Sequence, residues 1–345
     1  MFAVRYFPRG RWTTLALIAA VFLAGAGRTR AQNLLVSNAN DGRVLEYDFN
    51  TGAFVREFIP AGVAGAKGIR YGPNGNLFVC TSDQDSVMEF DGTTGAFVRT
   101  VVSAGNPGNF DQPWGLTWAV PGTLRAGSLF VSCAMAPPGE NRCVYSYNAD
   151  GVYSATYPCL SPQQTPLFMA TRPYGAVGRI FVSWNNHVFP DSPGRVTEHT
   201  LADGTPIRHY QGQVSRQVTG LAFHPNGDLL LADFNGNRVW RFETTGTSLF
   251  ATSLGSFLGG GSYGVRGPRD LVYGPNGNLF VVGGLSNNIL EYDGTTGAFI
   301  RQVVAGNGLD GPWGLAFRPG EPTQACCRPD GTCEDLTPAQ CLANG

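Results

Sequence analysis

The sequence predicts an all-β chain wound into a closed ring of six blades, each of four antiparallel strands. Three observations carry that prediction. Glycine supplies 47 of 345 residues while charged residues supply only 14%. Helices disfavour glycine and disordered chains favour charge, so the composition disfavours coiled coils, helical repeats and charged disorder. One stretch recurs almost unchanged: Tyr71-Gly-Pro-Asn-Gly-Asn-Leu-Phe-Val79 returns as Tyr273-Gly-Pro-Asn-Gly-Asn-Leu-Phe-Val281, and Glu89-Phe-Asp-Gly-Thr-Thr-Gly-Ala-Phe-Val-Arg99 as Glu291-Tyr-Asp-Gly-Thr-Thr-Gly-Ala-Phe-Ile-Arg301. Both pairs are offset by 202 residues, and weaker copies fill the interval, as in solenoids and propellers.

The chain opens with Arg5, Arg9 and Arg11 ahead of the apolar run Leu15–Ala24, and Thr29-Arg30-Ala31 has small residues where a signal peptidase reads. Residues 1–31 are therefore expected to be a secretory signal, cut after Ala31. No second long apolar run follows, so no membrane span is expected after its removal, and the mature protein is expected outside the cytoplasm, periplasmic or extracellular. The leader carries five arginines and no acid while the whole chain is −1, so the remainder is acidic. Without a basic run to neutralise a row of phosphates, nucleic acid is not expected as a partner.

Each repeat reads as four short strands. In the clearest copy, Ile69–Tyr71 leads to a Pro-Asn-Gly turn, Leu77–Cys80 is a continuous apolar run, and Val87–Phe90 alternates. The Asp91-Gly-Thr-Thr-Gly95 turn then closes a hairpin into Ala96–Val101, with the aspartate placed to cap turn amides. Four antiparallel strands per repeat describe a propeller blade. First strands start near Gly68, Gly115, Phe168, Gly220, Asp270 and Gly314, spaced 44 to 53 residues apart. The first copy has only three strands (Leu34–Ser37, Val44–Tyr47 and Phe54–Phe58) and the last has one (Trp313–Phe317). Three and one complete a blade, so both ends of residues 32–319 are expected to share one sheet and close a six-bladed ring. Blade four, about 167–211, is the least regular.

Gly220-Leu-Ala-Phe-His-Pro-Asn-Gly-Asp-Leu-Leu-Leu-Ala-Asp-Phe-Asn-Gly-Asn-Arg-Val-Trp-Arg-Phe242 resembles an NHL repeat, through its Gly-aliphatic strand, its Pro-Asn-Gly turn, and Asp233 with Asn237-Arg238-Val239. The resemblance implies a six-bladed β-propeller of the superfamily that includes SMP-30/gluconolactonase and virginiamycin B lyase types. It implies a binding platform and no particular chemistry. The lactonase type implies calcium or another divalent cation over the central channel, held by Asn or Asp just before first-strand glycines and a Glu from another blade. Here those positions hold Lys67, Trp114, Leu167, Thr219, Arg269 and Trp313, with Asp270 as the near miss. Lys67 and Arg269 would repel a cation, so no metal or other cofactor and no catalytic residue is expected. An exported lactonase- or lyase-like, metal-dependent hydrolase is the alternative. Lyase chemistry would need convergent histidines, and His187, His199, His209 and His224 read as exposed turn or outer-strand residues. Asp233 and Asn237 read as braces of the hairpin between second and third strands.

Asp111-Gln-Pro-Trp-Gly115 and Asp310-Gly-Pro-Trp-Gly314 place a tryptophan before a first strand in two blades. Trp114, Trp313, Lys67, Arg269, Asp270, Asp111 and Asp310 are thus the candidate ligand-binding residues of one channel rim, where indoles stack a ring and polar groups surround it. The expected protein is a secreted, non-catalytic, monomeric binding or scaffold propeller for a protein, glycan or small ligand. Wedging of each tryptophan between adjacent blades is the competing expectation.

Export makes the eight cysteines disulfide material. Cys133 and Cys143 flank one loop on neighbouring strands and are the expected pair, with Cys159–Cys143 as the alternative; Cys80 is expected to be a free core thiol. Residues 320–345 form a separate tail whose Cys326, Cys327, Cys333 and Cys341 are expected to be disulfide-bonded. It resembles Cys-rich motifs appended to exported proteins of planctomycete-type bacteria, and reads as either small and complete or truncated.

Overall fold

The structure is a computed structural model, and it describes residues 33–106, 110–134, 142–157, 164–186, 193–212, 214–319, 324–327 and 333–336. The expected signal segment, His187, Cys159 and Cys341 lie outside them. No helix among these residues is long and apolar enough to cross a membrane.

Blade 1 contains β1 (Leu34–Asn38), β2 (Arg43–Tyr47) and β3 (Phe54–Ile59). Blade 2 is β4 (Ala66–Tyr71), β5 (Leu77–Thr81), β6 (Ser86–Phe90) and β7 (Phe97–Val102). Blade 3 is β8 (Pro113–Trp118), β9 (Leu129–Cys133), β10 (Val144–Tyr147) and β11 (Tyr153–Tyr157). Blade 4 is β12 (Gln164–Arg172), β13 (Arg179–Asn186), β14 (Arg195–Thr200) and β15 (Pro206–Tyr210). Blade 5 is β16 (Val218–Phe223), β17 (Leu229–Asp233), β18 (Arg238–Phe242) and β19 (Ser253–Leu258). Blade 6 is β20 (Pro268–Tyr273), β21 (Leu279–Gly283), β22 (Asn288–Tyr292) and β23 (Phe299–Ala305). The last propeller strand, β24 (Pro312–Phe317), pairs antiparallel with β1, setting Leu34 opposite Phe317, Leu35 opposite Ala316 and Val36 opposite Leu315. The sheet order β24-β1-β2-β3 completes the first blade from both ends of the domain, so a six-bladed ring closed by N-terminal strands and one C-terminal strand is the observed fold. Beyond it, β25 (Gln324–Cys327) and β26 (Cys333–Leu336) form a two-stranded sheet with Cys327 opposite Cys333.

Burial follows position in the blade. Every residue of β1, β5, β9 and β17 is buried, whereas β3, β7 and β11 begin with exposed residues and bury only their ends. Middle strands are covered by sheets on both faces and read as continuous apolar runs; outer strands meet solvent. The buried side chains form clusters that span neighbouring blades, such as Phe78, Cys80 and Val87 with Val131, Cys133 and Tyr145.

Each inner strand touches the inner strands of the next and previous blades. The recurring glycines allow that approach. A Cβ on Gly115 would lie 2.2 Å from the Leu167 carbonyl oxygen, and one on Gly314 2.5 Å from that of Lys67. Hydroxyls stitch the same seam: Ser132 donates to the Leu167 carbonyl at 2.6 Å and Thr219 to that of Pro268 at 2.7 Å.

The outer turns make a second seam. Asp91 Oδ1 accepts the Thr93 and Thr94 amides at 3.0 and 2.7 Å, the expected cap, and Asp48 and Asp293 do the same. Glu89, buried on β6, accepts from Asn74, Asn76 and Arg99, all at 2.7 Å. Arg99 then reaches the Ala149 and Asp150 carbonyls in blade 3 at 2.9 and 3.2 Å. Glu46–Arg56 and Glu291–Arg301 repeat this strut toward blades 2 and 1, and Arg208 reaches Thr244 from blade 4 at 3.0 Å. Burial raises the titration of the three glutamates, but hydrogen bonds from these arginines and asparagines outweigh it and hold them below the usual carboxylate range. Blades 3 and 5 lack the arginine: Arg125 reaches Ala202 at 3.0 Å and His224 reaches Thr295 at 3.1 Å instead.

Several expectations are corrected. Inner strands start earlier than expected, at Ala66 rather than Ile69, because a bulge interrupts the pairing between Ala66 and Ile69. His199 and His224 are buried and hydrogen-bonded, not exposed. Asn237 does not brace its own hairpin: its Oδ1 accepts the Gly267 amide of the next blade at 2.7 Å. Cys133 and Cys143 are not bonded to each other. Cys133 is a free buried thiol in the core with Phe110 and Tyr145, like Cys80, whereas Cys143 is disulfide-bonded. The two strands meet there through the Cys133 amide, which donates to the Cys143 carbonyl at 3.0 Å.

Candidate functional site

All six inner-strand pairings carry a bulge at the same place, around the residue that precedes the first-strand glycine or its equivalent. A bulge inserts a residue and re-aims its side chain. Here the repeated insertion brings together side chains from several blades at the channel end that carries the β5–β6 and equivalent hairpin turns.

Trp313 of β24 and Trp114 of β8 meet edge to face, with ring centroids 5.2 Å apart. Lys67 of β4, the blade between them, sets its Nζ 3.9 Å from the Trp114 ring centre and 5.1 Å from that of Trp313. On the other side, the Arg269 guanidinium of β20 lies 4.0 Å over Trp313 and 5.5 Å from Phe234. Leu167 and Phe168, from the opposite blade, close the cluster against Trp313. Trp313 is only 7% exposed; Lys67, Trp114 and Arg269 are half-buried and keep the cluster open to solvent. The tryptophans therefore pack on one another across the channel and not as wedges between adjacent blades.

The electrostatics are one-sided. Burial, with the nearby Arg269 charge, lowers the Lys67 ammonium to about 8 against the pull of the Asp83 carboxylate. Burial alone lowers Arg269 to about 10. The indole N–H groups of Trp114 and Trp313 and Nε of Arg269 are buried without a partner among the described residues. The mouth thus presents positive charge on an aromatic floor, in a region of reduced dielectric where cation–π contacts are strongest.

The remaining rim candidates lie apart from this cluster. Asp270, fully buried, forms a two-pronged ion pair with Arg70 (2.8 and 3.0 Å) and accepts the Leu315 amide at 3.0 Å, so it joins blades 2, 6 and 1 in the channel wall. Asp111 faces Asp85; burial and the shared hydrogen bond raise its titration, and Asp85 accepts the Gln112 amide at 2.8 Å. Asp310, exposed, accepts from Asn40 at 2.9 Å. Arg70, Phe168 and Phe234 were not singled out in the sequence. Arg70 had a signal: five equivalent positions hold Thr117, Ala170, Ala222, Val272 and Ala316, and Asp270 likewise breaks the glycine pattern. Two charged departures in aligned repeats mark a pair. Phe234 had no such signal.

No group of three or more His, Cys, Asp or Glu converges as a metal site among the described residues. The cluster holds no carboxylate, so it offers a hard cation none of the oxygen ligands it needs.

The family model described as "WD domain, G-beta repeat" matches residues 204–240. The match begins just before β15, on the outer edge of blade 4, and ends within β18 of blade 5, overlapping the NHL-like stretch. No curated protein matches the chain. Among solved structures it is similar to a chain of the nidogen/laminin complex (TM-score 0.64, 12% identity, covering 84% of this chain and 98% of that one). It is also similar to a Bacteroides caccae protein of unknown function (0.63, 13%, 84% and 100%). A third similar structure is a periplasmic gluconolactonase of Pseudomonas aeruginosa (0.55, 16%, 84% and 99%). At these identities the likeness is one of fold: this chain shares the β-propeller with proteins of differing activity.

Proposed function

We infer that this is an exported, non-catalytic binding propeller that takes a ligand at the channel mouth built from Lys67, Trp114, Arg269 and Trp313. The single observation that carries the reading is the convergence of two indoles and two cations from four blades at one channel end. Aromatic surface with a few convergent polar groups is the composition of a ligand site. The lactonase alternative draws on the gluconolactonase neighbour, but the mouth carries positive charge where that chemistry would seat a divalent cation. The propeller from the nidogen/laminin complex is consistent with the same fold serving binding. Export rests on the basic and apolar leader and the cysteine content, and the NHL-like character on residues 220–242.

A screen of glycans, metabolites and protein fractions against the full chain, repeated with Trp114→Ala and Trp313→Ala, tests the reading. A ligand whose binding falls at least tenfold in either variant supports it. Ligands that bind both variants as tightly as the parent place the site elsewhere, and chelator-sensitive lactone hydrolysis would favour the enzyme.

A further inference from the structure

We propose that the channel mouth selects a small organic acid, its anionic group seated between Lys67 and Arg269 and its ring or planar body against Trp114 and Trp313. This rests on the binding reading above and adds the chemistry of the ligand.

The argument begins with which cations are satisfied. Arg56, Arg99 and Arg301 each hold a buried glutamate, and Arg70 holds Asp270. Arg269 has no such carboxylate among the described residues, and its Nε is without a partner. Lys67 is the chain's only lysine. Its acidic neighbour among the described residues, Asp83, acts through space, while Asp83 Oδ1 accepts the Ser82 hydroxyl at 2.9 Å. Both cations are half-buried and held over indole faces, where an unneutralised charge is costlier than in bulk water. Neither cation is in hydrogen-bond contact with a carboxylate among the described residues, so the complementary ligand carries negative charge. A carboxylate meets that need with two oxygens, and the indoles add stacking surface that an inorganic ion cannot use.

The lone lysine supplies the test. In full chain labelled with 13C-lysine, one side-chain signal reports Lys67. Facing Asp83, Arg269, the Cys80 thiol and the two indoles, it is expected to titrate near 8 in the free protein. Benzoate and glucuronate are expected to raise that midpoint by about one unit, since an anion stabilises the charged form, and to change tryptophan fluorescence. Benzyl alcohol and glucose should do neither. Arg269→Gln should weaken benzoate at least tenfold, with near-UV circular dichroism showing the variant folded. Arg269→Lys, which restores the charge, should recover part of the loss. Inorganic phosphate moving the midpoint as far as the acids would overturn the role given to the ligand body. Neutral analogues that bind, lose affinity in Trp114→Ala and leave the lysine unmoved would overturn the anion proposal while leaving channel-mouth binding in place. A midpoint unmoved by every acid overturns it whatever other ligands the mouth accepts.

Discussion

Lys67 is a charge kept in an aromatic setting, and that has a measurable effect on folding. In an unfolded chain a lysine ammonium loses its proton near 10.5; in the folded protein burial brings Lys67 down to about 8. Between those values the unfolded state binds the proton and the folded state does not. Stability contributed by this group therefore rises with pH across that window. The stability of the parent minus that of Lys67→Met, from urea unfolding at several pH values between 7.5 and 10, should climb; a flat or falling difference contradicts the assignment. Asp270 makes a second residue-level prediction. Truncating it leaves Arg70 inside the channel wall without its partner, so Asp270→Ala should cost about 3–5 kcal/mol. Arg70→Met combined with Asp270→Ala should cost less than the single change, because the stranded charge is then gone.

Strands and turns were the part of this protein most legible in its sequence. Leu77–Cys80 reads as a buried strand because sheets cover both its faces, and the Asp91 turn reads as a hairpin because the capping atoms sit within three residues. What stayed hidden depends on partners far along the chain. Glu89 and Arg99 repeat visibly, but that Arg99 reaches Ala149 and Asp150 appears only once blades are assembled. The bulges were missed because a single inserted residue leaves no signature in an already glycine-rich strand. They also help bring Lys67, Trp114, Leu167, Arg269 and Trp313, each one residue before the first-strand glycine or its equivalent, to the channel. Two changes probe these elements. Arg99→Ala removes a charged hydrogen bond to buried Glu89 while Asn74 and Asn76 remain, and should cost about 1–3 kcal/mol in urea unfolding. Gly115→Ala drives a methyl into the Leu167 backbone, which cannot rotate aside, and should cost about 3 kcal/mol or more.

At the scale of the whole molecule, the function proposed here depends on geometry that no single blade holds. Lys67, Trp114, Arg269 and Trp313 come from blades 2, 3, 6 and 1, and meet because β24 returns to lie beside β1. Trp313 itself rides on that returning strand, so the closure and the site stand together. The register of closure is specific: Leu35 lies opposite Ala316. Directly opposed residues of an antiparallel pair lie about 4.5–5.5 Å apart, within the span a disulfide bridges. The most direct measurement is therefore a Leu35→Cys/Ala316→Cys variant of the full chain, oxidised, mapped by peptide mass and unfolded in urea beside its own reduced form. The closed ring predicts a bond between those two positions that raises stability by roughly 4–5 kcal/mol, as expected for a cross-link closing so long a loop. Cysteines that stay reduced under oxidising conditions, or a bond that lowers stability, would place β24 elsewhere and take the channel mouth with it.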